Sequence, residues 1–160
     1  MKKYILFSLM ALALFSCSNQ EREFPDFDYS TVYFAYQYPV RTITLGETIF
    51  NNDLDNSHKT KLMATWGGGY TNRKEVTIDI VVDTTLCNKV FFKNNNAKVQ
   101  VMPANYYELA ANKITIPVGS IIGGVEINFT EAFFNDPLAI GRNYVIPVVM
   151  TKVTGADYIL

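Results

Sequence analysis

Three stretches of the chain alternate apolar and polar residues with a period of two, a pattern that no helix can place on one face. Glu75–Asp83 (EVTIDIVVD) puts Val76, Ile78, Ile80 and Val82 on one side and Thr77, Asp79 and Asp83 on the other, with Val81 the exception. Lys113–Val118 (KITIPV) directs Ile114, Ile116 and Val118 inward. Gly124–Thr130 (GVEINFT) turns Val125, Ile127 and Phe129 inward and Glu126, Asn128 and Thr130 outward. Successive side chains of a strand point to opposite faces, so each stretch reads as a half-buried antiparallel strand.

The rest of the chain supplies partners for them. Thr31–Tyr36, Val40–Leu45, Lys59–Trp66 and Lys98–Met102 read as strands by their β-branched and aromatic content. Asn143–Val153 reads as one long last strand, with Pro147 marking a bulge or an edge position. Residues 51–58 are a polar loop, Tyr70–Lys74 and Ala104–Leu109 are turns, and Thr84–Asn96 and Glu131–Asn135 each hold a short helical turn. The 10 Tyr and 11 Phe favour strands over helices. About seven short strands at close spacing predict an all-β sandwich, with no internal repeat and no second domain.

The first residues carry a separate signal. Lys2 and Lys3 precede the apolar run Tyr4–Phe15, broken only by Ser8, and then come Ser16 and Cys17. A secretory signal peptide has this shape. The run falls short of the ~20 apolar residues that a membrane-spanning helix needs. Leu14-Phe15-Ser16-Cys17 resembles the bacterial lipobox, with Phe15 bulkier than the small residue common there. The resemblance implies cleavage before Cys17 and a lipid on its sulfur, which makes the outer membrane a partner. Each buried CH₂ of an acyl chain contributes about 0.8 kcal/mol to such anchoring. Ser18–Glu23 (SNQERE) is similar to the acidic export signal that sends Bacteroidetes lipoproteins to the outer face of the outer membrane. A plain solvated tether has the same composition. The expected organisation is a signal peptide over 1–16, a lipidated tether over 17–30 and the sandwich over 31–160.

Composition narrows the function classes. With 14 Lys and Arg against 15 Asp and Glu, the net charge is −1, and there is no basic footprint for nucleic acid. A lipidated Cys17 leaves Cys87 without a disulfide partner, and these few Cys and His do not make a structural zinc site. Cys87 is expected to be a buried small apolar residue. No cofactor is expected.

No catalytic constellation stands out. His58, the one histidine, lies in the polar loop, where solvation explains it better than a triad does. Asp79 and Asp83 share a strand face but are already explained by its alternation. Asn52-Asp53-Leu54-Asp55-Asn56 offers oxygens at alternate positions yet lacks the central Gly and terminal Glu of a calcium loop. Trp66-Gly67-Gly68-Gly69-Tyr70 is the strongest surface candidate, because sugars stack their C–H faces on aromatic rings. The plainer reading is that Trp66 closes the core and the glycines make a turn. Tyr106 and Tyr107 are adjacent and point oppositely on an extended chain, which adds them to the candidate glycan contacts. Asn128-Phe129-Thr130 fits a glycosylation sequon but follows a bacterial type of leader. Asp83-Thr84-Thr85 resembles the short O-glycosylation motif of Bacteroidetes secreted proteins.

Four runs together carry a wider resemblance: Asn72–Asn88, Val101–Ser120, Gly124–Asp136 and Asn143–Asp157. They resemble an immunoglobulin-like domain of unknown function that follows the lipobox in Bacteroidetes surface lipoproteins. The resemblance spans about Tyr33 to Asp157. It implies an immunoglobulin-like sandwich encoded beside outer-membrane glycan importers, with glycans and those importers as partners. Members often continue into a carbohydrate-binding domain or a chitinase-like glycosidase domain. This chain stops at Leu160, so a part carrying ligand or catalysis is expected to be absent, and the family offers no catalytic residues to transfer. The expected function is a non-catalytic surface lipoprotein domain accessory to glycan capture, as a weak binding module or a spacer. A fimbrillin-like assembly subunit that pairs through an edge strand is the alternative.

Overall fold

The computed structural model describes residues 27–35, 53–87, 100–141 and 143–160. The expected signal peptide, Cys17, the tether as far as residue 26, the strand at Val40–Leu45 and residues 88–96 of the expected helical turn lie outside them.

Ten strands are described. The chain forms β1 (Thr31–Phe34), β2 (Lys59–Gly67), β3 (Val76–Val82), β4 (Gln100–Val101), β5 (Tyr107–Leu109), β6 (Lys113–Ile116) and β7 (Ile122–Phe129). After them come β8 (Tyr144–Val145), β9 (Val148–Thr154) and β10 (Tyr158–Ile159). Two single-turn helices, α1 (Asp53–Asn56) and α2 (Glu131–Phe134), sit before β2 and after β7.

One sheet has the order β10-β1-β2-β7-β5 and a second the order β6-β3-β9. A two-stranded parallel ladder joins β4 to β8. The first sheet is antiparallel except where β10 runs parallel to β1. The alternation read from the sequence holds the two sheets together. Val32, Ala64 and Val125 from the first sheet meet Val76, Ile78, Ile80, Ile114, Ile116 and Met150 from the second in one core. Full burial of a Val or Ile side chain is worth about 1.5–3 kcal/mol, so this layer dominates the stability of an all-β sandwich. Val81, the exception in its strand, is exposed.

Several expectations are corrected. Val118 is not inward: β6 ends at Ile116, the chain turns, and Val118 is 63% exposed. The last strand is not continuous. Pro147 has no N–H for a ladder, and the chain breaks into β8 and β9 around it, passing from the β4 ladder to the second sheet. The carbonyl of Pro147 still accepts the Asp83 N–H at 2.9 Å. Ala104–Leu109 is more than a turn, because a 3₁₀ turn over Ala104–Tyr106 leads into β5 at the sheet edge. The polar loop contains α1, whose first turn holds Asp53 and Asp55.

Other expectations hold. α2 lies within Glu131–Asn135, and residues 85–87 begin a helical turn. A bulge also interrupts β9. Thr151 is the extra residue where the register shifts opposite Asp79 and Ile80, and its hydroxyl donates to the Asp79 carbonyl at 3.3 Å.

Candidate functional site

Trp66 and Tyr70 part company in the structure. Trp66 pairs with Val32 across the β1–β2 ladder and packs half-buried against the core cluster. Its strand neighbours on the same face are Ala64 and Leu62, so its direction follows from the alternation of β2. Tyr70 lies beyond the end of β2 and is 67% exposed. Between them Gly68 adopts φ +114°, and the Tyr29 carbonyl oxygen would stand 2.3 Å from a Cβ placed there. Only glycine suits that combination of left-handed backbone and close approach.

Tyr106 and Tyr107 also diverge. Tyr107, in β5, is half-buried opposite Phe129, and burial raises its phenol pKa. Tyr106 belongs to an aromatic group around one carboxylate. Its hydroxyl donates to Asp136 Oδ2 at 3.0 Å, and the Tyr144 hydroxyl donates to the same oxygen at 2.5 Å. The Leu138 N–H donates to Oδ1 at 2.9 Å. Tyr106 lies edge-on to Tyr144 and to Phe133, with ring centroids 5.6 and 6.2 Å apart. Phe133 stacks on Phe129 at 4.9 Å, and the His58 ring stacks on Phe134 at 3.9 Å.

The electrostatics follow from those bonds. The Tyr144 hydroxyl, then the Leu138 N–H, hold Asp136 below the usual carboxylate range. The same carboxylate pushes Tyr144 up to about 12 and raises Tyr106. Both phenols therefore stay protonated and donating at neutral pH.

Sequence reasoning chose Tyr106 from this group and missed Asp136 and Tyr144. The one local signal was Asp136-Pro137, a turn-forming pair whose carboxylate accepts the N–H two residues on. The four candidate aromatics do not converge. Trp66 lies just beyond the Ile122 end of the β2–β7 ladder and Tyr107 stands opposite Phe129 at the other end, about 26 Å away along β7 at 3.3 Å per residue.

The remaining candidates have structural partners. Asp79 faces Lys113 at 3.3 Å across the β3–β6 pair. Asp83 Oδ1 accepts both the N–H and the hydroxyl of Thr85, making a turn rather than half of a carboxylate pair. His58 adopts φ 64° at the turn into β2, and its carbonyl accepts the Phe129 N–H. Cys87 is buried, and burial raises its thiol pKa, which opposes thiolate reactivity. Among the described residues, no group of three His, Cys, Asp or Glu could hold a metal ion. No helix among them is long and apolar enough to cross a membrane. Among the described residues, Tyr29, Tyr70 and Tyr158 present exposed aromatic rings that can stack on an apolar face.

A family model described as a “-like, N-terminal domain” matches residues 27–157. No curated protein matches the sequence. A Bacteroides ovatus protein of unknown function, solved at 2.40 Å, is 53% identical with a TM-score of 0.74, over 84% of this chain and 43% of that one. A multidomain B. ovatus protein including DUF1735 matches at 18% identity and TM-score 0.51, over 76% of this chain and 41% of the other. A two-domain Bacteroides fragilis protein of unknown function matches at 12% identity and TM-score 0.51, over 82% and 41%. The last two likenesses concern the fold alone. The chain spans less than half the length of each of these three proteins, and none of them is described as an enzyme.

Proposed function

Because the chain belongs to this family of N-terminal domains, a Bacteroidetes domain of unknown function, we propose that it is a non-catalytic, lipid-anchored module of the outer membrane that supports glycan capture. The observation that carries this reading is the recurrence of the fold as a minor part of longer Bacteroides chains, two of them described as multidomain or two-domain proteins. A module of that kind serves a neighbour, either by a weak ligand contact of its own or by spacing that neighbour from the membrane. The lipobox-like residues ahead of Cys17 support the anchor, and the genomic company of the resembling family supports the glycan.

Two experiments test the two halves. For the glycan, the soluble domain is run on affinity gels and glycan microarrays beside Tyr70→Ala. Tyr70 is the candidate whose side chain is exposed outside the core, so its loss should weaken retention without unfolding the domain. Trp66→Ala is a poor probe because Trp66 packs on the core. No retention on any host or plant glycan removes the binding version and leaves the spacer. For the anchor, Cys17→Ala should leave the membrane fraction and lose [³H]palmitate label. Continued labelling would overturn the lipoprotein reading.

A further inference from the structure

We propose that the end of the sandwich carrying Phe27 is a membrane-seating tip whose partner is the lipid surface at the headgroup–acyl boundary. The proposal rests on the lipoprotein reading of Cys17. Four segments meet at this end: residues 27–30, 67–75, 117–121 and 155–157. Backbone bonds stitch them together. The Phe27 N–H donates to the Gly68 carbonyl at 3.0 Å, Trp66 to Ile121 at 2.8 Å, Gly119 to Asn72 at 2.8 Å and Asp157 to Ser30 at 3.0 Å. Asn72, 1% exposed, adds side-chain bonds to the Pro117 carbonyl and the Lys74 N–H.

This pinned end displays large apolar side chains to solvent. Phe27 is 83% exposed, Val118 63%, Tyr29 61%, Tyr158 54% and Ile121 52%. A rigid cluster of this kind costs little ordering entropy when it is buried. Two of its five members, Tyr29 and Tyr158, are tyrosines, whose apolar ring and polar tip suit the membrane–water boundary.

Chain geometry selects the bilayer as the occupant. Phe27, inside the cluster, lies ten residues after Cys17 in the sequence. Ten residues reach at most about 35 Å when fully extended, so a lipid on Cys17 keeps this end close to its membrane. Asp28, Arg73, Lys74, Glu75 and Asp157 border the cluster with both signs of charge. Seating therefore depends on apolar burial, and anionic lipid should not strengthen it.

The test uses the full-length lipidated protein in vesicles of phosphatidylcholine, with and without phosphatidylglycerol. An environment-sensitive dye is placed at Val118→Cys, with a control dye at Glu131→Cys on the opposite end, where the side chain is 81% exposed. The expected result is a blue shift and a several-fold intensity gain at position 118 in both vesicle types, and no change at 131. Phe27→Ser combined with Ile121→Ser should abolish the gain. No change at 118, an equal change at both positions, or a response only with phosphatidylglycerol overturns the proposal. Intact-mass measurement reads the lipid separately. Lipid present without a response at 118 overturns the tip and leaves the anchor, whereas absence of lipid overturns the anchor and the tip with it.

Discussion

Tyr144 donates a hydrogen bond to the Asp136 carboxylate and so ties the loop after α2 to β8. Tyr106 donates to the same oxygen from the 3₁₀ turn before β5. One carboxylate thus joins three segments that no regular ladder connects.

The pH dependence of stability follows from this carboxylate. Asp136 is held below its ordinary range by Tyr144 first, so its contribution is present above the unfolded carboxylate pKa and is lost as pH falls through the folded value. Tyr144 is pushed up to about 12, so its contribution is complete below the unfolded tyrosine pKa and is lost as pH rises toward 12. Asp136→Asn should flatten both limbs of the stability–pH profile, and Tyr144→Phe should remove most of the alkaline one. Thermal melts from pH 3 to 11 check this. Unchanged limbs in both variants would show that the group contributes nothing to folding.

The sequence made the central strands readable because their burial is one-sided. Val76, Ile78 and Ile80 alternate with Thr77 and Asp79, and the structure buries the first set as the pattern requires. β5 and β10 were not readable. They have three residues and two, and their existence depends on partners far along the chain, Phe129 and Thr31 among them. Val118 continues the alternation of β6 in sequence, yet Pro117 and Gly119 turn the chain first, so periodicity alone misplaced it. The Asp136 group was hidden for the same reason as β5: residues 106, 136 and 144 meet only once the fold exists. Trp66 reads from the sequence as a core residue or a contact residue, and its half-burial against the core cluster agrees with the first reading.

Core packing gives the largest expected losses. Ile78 is fully buried at the centre of the second sheet, between β6 and β9, and belongs to the cluster shared by both sheets. Ile78→Ala should cost about 2–5 kcal/mol through lost transfer energy and a residual cavity. Ile78→Val removes one methylene and should cost about 0.5–1.5 kcal/mol. Val81→Ala, on the other strand face and exposed, should change stability by less than about 0.5 kcal/mol. Urea denaturation of the three variants checks the order, and equal losses at positions 78 and 81 would contradict the assigned faces.

Two glycines separate strain from collision. Gly119 adopts φ +78°, and a Cβ added to it would meet nothing within 4 Å, so Gly119→Ala faces backbone strain alone and should cost about 1 kcal/mol. Gly68 adopts φ +114° and would also press a Cβ against the Tyr29 carbonyl oxygen at 2.3 Å and Ser30 Cα at 2.9 Å. Gly68→Ala must move backbone, so it should cost clearly more than Gly119→Ala. Matched denaturation curves decide it, and an equal cost at both positions would mean that the 27–30 segment yields freely.

Asn72 links the same end of the molecule from inside. Its amide donates to the Pro117 carbonyl at 3.2 Å and its oxygen accepts the Lys74 N–H at 3.0 Å, with the residue only 1% exposed. Asn72→Ala leaves both backbone groups without those partners, which should cost about 1–3 kcal/mol. The effect should also be local. The Gly119 N–H donates to the Asn72 backbone carbonyl, a bond the substitution does not remove chemically. Faster hydrogen exchange at Gly119 in the variant would therefore report loosening of the 117–121 loop, while exchange at Ile78 would rise only by the global loss. Exchange at Gly119 that tracks Ile78 would show that the side chain of Asn72 contributes to overall stability without fixing the loop.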